Sequence, residues 1–134
     1  MLRNKIGRRI GLGIAGLALA TALIAPSAFG HTSVTKPKLI GNPKAGKGSF
    51  SSTCGACHVL KAAGAVGNIG PNLDKVGPAL TEATIIKAIT NGGATVMTKA
   101  AAAKYTTTMV AYKGSLTPTV INNIAAFVYT STHK

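Results

Sequence analysis

Both cysteines of this chain sit in one five-residue stretch, Cys54-Gly55-Ala56-Cys57-His58, with a histidine directly after the second. A three-residue step is about one turn of helix, so the motif gathers two sulfurs and an imidazole into a small volume. Four chemistries could use such a cluster. A Cys54–Cys57 disulfide would close a tiny loop, add little stability and leave His58 without a role. A redox dithiol of the thioredoxin kind needs a βαβ setting, which the surrounding sequence lacks. Structural zinc needs four ligands, and no second cysteine pair exists to complete the set. Covalent haem uses all three residues: both thiols add across the porphyrin vinyl groups, and the histidine reaches the iron from the same face. The motif points to haem held by Cys54 and Cys57 with His58 on the metal, and the other three readings stand as alternatives.

The rest of the chain has room for such a group. Tryptophan is absent and aromatic residues make up only 4% of the sequence, so a core built from the chain alone would rest on small aliphatic side chains. A bulky apolar body would fill the middle. Asn42 followed by Pro43 reads as a helix cap and first turn, opening a helix that runs to about the cysteines. A second helix is predicted from about Thr81 to Thr90, with Glu82 near its positive end and Asn91-Gly92-Gly93 stopping it. Thr117-Pro118 opens the clearest one, where Val120, Ile121, Ile124, Ala125, Phe127 and Val128 recur at the spacing of one buried face. Strand alternation is weak and no repeat is visible, so the expected fold is all-α. Two glycine-rich or polar loops, about 57–81 and 92–116, are longer than a compact domain normally carries without something to wrap.

Charge is lopsided: 15 Lys+Arg stand against 2 Asp+Glu, a formal net charge of +13. Such a surface suits anionic partners. Residues 1–30 read as a signal peptide. Arg3, Lys5, Arg8 and Arg9 precede the uncharged run from Ile10 to Ala25, and Pro26 and Ala28-Phe29-Gly30 follow as a cleavage region. Cleavage before His31 is favoured over an uncleaved membrane anchor, because the run is short for a bilayer span. Residues 31–41 form a polar, irregular lead-in, and 42–134 the compact domain. Without the leader's four cations, 11 lysines and 2 carboxylates leave +9.

From Asn42 to Tyr129 the chain resembles the small monohaem class I cytochromes c. Gly46, Phe50, Cys54, Cys57 and His58 match that family's first helix and haem motif. Gly70-Pro71-Asn72-Leu73 matches its next marker, and Met109-Val110-Ala111-Tyr112-Lys113 its ligand loop. Phe127 matches its terminal aromatic. The resemblance implies three to five short helices with long loops wrapped around one covalent haem c. It implies that Gly46 lets the first and last helices approach, with Phe127 over it. Pro71 would accept a hydrogen bond from His58, while Phe50 and Leu73 would serve as core or haem-wall residues. It also implies Met109 as the sixth iron ligand, although Val110 replaces the usual proline after it. Met97 is the alternative, and the intervening "TKAAAAKYTTT" reads as a short extra helix or insertion.

With His58 and a methionine both on the iron, no site is left for substrate, and the expected role is one-electron transfer rather than catalysis. The expected location is the periplasm or another extracytoplasmic space, in a respiratory chain. Lys61, Lys75, Lys87, Lys99, Lys104 and Lys113 would steer acidic redox partners such as a terminal oxidase, a bc-type complex or a periplasmic reductase. Two rivals remain. One is a haem enzyme or gas sensor with an open sixth site. The other is a membrane-surface or nucleic-acid module, suggested by charge alone; it lacks the interleaved aromatics that stack on bases, so nucleic acid is not expected.

Overall fold

A computed structural model describes residues 37–134. The leader (1–30) and residues 31–36 of the lead-in lie outside the described residues. Helix α1 spans Pro43–Thr53, α2 Leu73–Val76, α3 Glu82–Asn91, α4 Lys99–Ala102 and α5 Pro118–Thr132. Single 3-10 turns at Lys61–Ala63, Gly77–Ala79 and Gly93–Thr95 punctuate the loops.

Each main helix starts where its cap dictates. The Asn42 side chain accepts from the N–H groups of Lys44 and Ala45, Thr81 from that of Thr84, and Thr117 from that of Val120. These bonds satisfy donors that a first helical turn leaves free. At the other end of α3, Gly92 takes φ +91°, a conformation L side chains rarely adopt, and the chain leaves the helix there.

Helices α1 and α5 form the framework, with α3 packed on α5. Their crossing depends on Gly46, where a Cβ would run into the Asn123 carbonyl and come within 2.9 Å of Phe127 Cβ. With no side chain at Gly46 the two backbones approach closely, and Phe50 reaches Phe127 with ring centroids 5.8 Å apart in a tilted pair. Around that pair the core collects Leu60, Ile85 and Ile89, together with Ile121, Ile124 and Val128 from the expected face of α5.

Two features lie outside the all-helical expectation. A small antiparallel hairpin, β1 Val59–Leu60 and β2 Ala65–Val66, follows the haem motif, pairing Val59 with Val66 and Leu60 with Ala65. Two residues per strand are too few to print an alternation on the sequence. The lead-in also ends in fixed contacts. The N–H groups of Ile40 and Gly41 donate to the Glu82 carboxylate at 3.1–3.3 Å, and Asn42 N–H donates to Asn123 Oδ1 at 2.8 Å. Glu82 was expected to favour the positive end of α3; it also clamps the segment entering α1.

Candidate functional site

The motif residues close off α1. Cys54 N–H donates to the Phe50 carbonyl at 2.8 Å, and Cys57 and His58 N–H both return to the Cys54 carbonyl at 3.1 and 3.0 Å. This tight turn brings both thiols and the imidazole into the lining of one open-mouthed cleft. Two stretches line it. Thr53 to Pro71 contributes Cys54, Cys57, His58, Ile69, Gly70 and Pro71; Ala94 to Tyr112 contributes both Met97 and Met109, with Tyr105 and Tyr112. Among the described residues no lysine or carboxylate lines the cleft.

His58 is only 8% exposed and is held on two sides. Its Nδ1–H donates to the Pro71 carbonyl at 2.8 Å, which assigns the proton to Nδ1 because a carbonyl can only accept. The Nε2 lone pair is thereby left free for a metal. Gly70 lies against the ring, since a Cβ there would sit 2.7 Å from Cε1 and 3.0 Å from Nδ1. Gly70 N–H in turn donates to the Cys57 carbonyl at 2.8 Å, tying this loop to the motif.

The thiols are not joined to each other. Burial pushes the Cys54 thiol up to about 11, with the Cys57 thiol adding to the shift. A sulfur so placed is poorly suited to life as a thiolate, and a thioether, which carries no proton, suits the site better. Burial also raises the Tyr112 phenol, and the nearby Cys54 and Cys57 thiols raise it further, which puts Tyr112 within electrostatic reach of both sulfurs. No group of three or more His, Cys, Asp and Glu that could hold a metal by itself occurs among the described residues, so nothing there completes a zinc site.

On the opposite stretch, Gly93 N–H donates to the Met109 carbonyl at 3.1 Å, and Tyr112 N–H to that of Ile89 at 2.9 Å. These bonds strap the methionine segment over the C-terminal end of α3. A Cβ on Gly93 would come 3.0 Å from Met109 Cβ, so the methionine lies directly on that glycine. Phe50 and Leu73 belong to the core rather than to the cleft: the phase of α1 turns Phe50 onto α5, and Leu73 packs on the same cluster from the start of α2. Nothing periodic or motif-like in the sequence marks Tyr105, Tyr112 or the Gly70 seat. Their only signal was position inside loops too long to be idle.

A cleft with two thiols at one end, an oriented imidazole with a free Nε2, two thioethers on the other stretch and otherwise mostly apolar or hydroxylic walls fits a haem. Residues 41–128 match the family described as cytochrome c oxidase, cbb3-type, subunit III. The chain belongs to that family. It is a small c-type cytochrome, and its cofactor is covalently bound haem c with its iron. Among solved structures it is similar to the c-type cytochrome SorU from Sinorhizobium meliloti, at 28% identity and a TM-score of 0.50, over 69% of this chain and 92% of that one. No curated protein is a significant match. Haem-based electron transfer is the function these similarities carry.

Proposed function

We propose that this cytochrome is an exported one-electron carrier, not a catalyst, with haem attached at Cys54 and Cys57 and with His58 and Met109 as axial ligands. The bond from His58 Nδ1–H to the Pro71 carbonyl is the observation that carries the reading. It holds the ring on Gly70, fixes the tautomer and makes Nε2 a better donor. The haem iron supplies the one-electron chemistry. The protein's part would be to hold that group through Cys54, Cys57, His58 and Met109 with little rearrangement of the chain, so that little reorganises when an electron moves. A thioether at the sixth position favours the ferrous state and shuts out small ligands. Met109 is the favoured donor because the main-chain bond from Gly93 and the Gly93 surface fix it at the cleft.

The cleft mouth suits brief docking. Ile69 and Val110 line it and are 46% and 64% exposed, a small apolar contact area at the cofactor's edge. Lys61, Lys75, Lys87, Lys99, Lys104 and Lys113 are all exposed. The two carboxylates among the described residues are occupied with backbone N–H groups, Asp74 with Lys61 and Glu82 with Ile40 and Gly41. The surface therefore presents nearly unopposed positive charge to an acidic redox protein: a terminal oxidase, a bc-type complex or a periplasmic reductase. Residues 1–30 would direct the domain out of the cytoplasm, either cleaved before His31 or kept as a tether. No helix among the described residues is long and apolar enough to cross a membrane. A pyridine haemochrome spectrum together with the intact mass of the exported protein tests the reading. One haem c per chain and a mass starting at His31 are expected; a haem released by acid–acetone extraction would overturn covalent attachment.

A further inference from the structure

The segment between Gly92 and Lys113 brings two thioethers to one cavity, Met97 and Met109, both half-buried. They are held differently. Met109 stands at the pinned base of the segment, on Gly93, with its sulfur 3.7 Å from where a Gly93 Cβ would be. Met97 occupies a bend between the Gly93–Thr95 turn and α4, outside any helix or strand. Its side chain is unbranched with three rotatable bonds, so it can extend or retract without moving the backbone. The other residues that this segment contributes to the lining are alanine, threonine, tyrosine and valine. Lys99 and Lys104 belong to α4 and the turn after it, but both are exposed and neither lines the cleft. The soft donors on this side of the cleft are therefore two sulfurs and nothing else among the described residues. A ferrous centre prefers such donors to phenol or hydroxyl oxygen.

We propose that Met97 is a second thioether donor for the position Met109 fills. When Met109 is displaced, Met97 takes its place and keeps water and diatomic gases out. This rests on the reading of Met109 as the resident ligand. The exchange breaks one sulfur–iron bond and forms another, and no proton or electron moves. Its consequence is a carrier that keeps a methionine-type coordination, and with it a high potential, through loosening of its main ligand loop.

The test uses the exported holoprotein with Met109→Leu, which removes the sulfur at nearly constant volume, and the double variant Met97→Leu/Met109→Leu. Two properties are read: the weak long-wavelength sulfur-to-iron band of the oxidised form and carbon monoxide affinity of the reduced form. Met109→Leu is expected to keep the band. It should bind carbon monoxide about tenfold less tightly than the double variant, as follows if Met97 holds the iron in roughly 90% of molecules. Equal carbon monoxide affinities, or a band lost in Met109→Leu as a lysine takes the iron, overturn the proposal. A parent protein that binds carbon monoxide, a double variant that keeps the parent band, or a Met97→Leu single variant that loses it, removes the Met109 assignment itself and this proposal with it.

Discussion

Replacing Gly70 by alanine probes the seat of His58 with one methyl group. The added Cβ would stand 2.7 Å from His58 Cε1, where ordinary contact begins at 3.4 Å, so the ring must retreat about 0.7 Å. Gly70 does not have a positive φ, and the three atoms nearest the added carbon all belong to the His58 ring. Because Pro71 is the next residue, the retreat lengthens the 2.8 Å bond from Nδ1–H towards 3.5 Å, where it ceases to count as a hydrogen bond. A bond of this type contributes on the order of 1 kcal/mol. It makes the imidazole a stronger donor and so favours the ferric state; its loss raises the midpoint potential. If the whole amount falls on that state, the rise is about 40 mV, from 59 mV and 1.4 kcal/mol per factor of ten. Gly48→Ala is the control. It lies in α1 with nothing within 4 Å of the added carbon, and it should add about 0.5–1 kcal/mol of stability without moving the potential. Redox titration of both variants decides the matter. A folded Gly70→Ala protein with the potential and visible spectrum of Gly48→Ala would refute the reasoning.

Three further outcomes are expected. Glu82→Ala strips the acceptor from Ile40 and Gly41 and should cost about 1–3 kcal/mol in urea unfolding, with faster proteolysis near residue 40; an unchanged midpoint contradicts the clamp. The double variant Cys54→Ser/Cys57→Ser cannot attach haem, and its remaining core is too small to hold three short helices. Its far-ultraviolet circular dichroism should lose most of the helical signal, whereas a cooperative thermal transition would show that the polypeptide folds without its cofactor. For Lys113→Glu, next to the cleft residue Tyr112, the second-order rate with an acidic redox partner should fall several-fold at low salt and approach the parent rate above about 0.5 M salt. A difference that persists at high salt points to packing rather than steering.

The helices were legible because their signals are local. Asn42-Pro43, Thr81 and Thr117-Pro118 act within one turn of themselves, and the stripe of α5 needs only its own spacing. The haem motif was legible for the same reason, since its three residues fall within five positions. What the sequence could not display are meetings between distant segments. Gly70 under His58, Gly93 under Met109 and Glu82 on the lead-in each join residues 12 to 42 positions apart. A glycine seat leaves no periodic trace. The same holds for Phe50: a haem-wall and a core role put the same residue type at the same position, and only the crossing of α1 with α5 turns it to Phe127.

Exposing the reduced, undenatured holoprotein to carbon monoxide tests most directly whether both axial positions of the iron are filled from within the chain. An absorption spectrum that stays unchanged under the gas is the predicted result. Formation of a carbon monoxide complex at neutral pH would mean that one position is open, and the protein would then belong with ligand-binding haem proteins rather than with carriers.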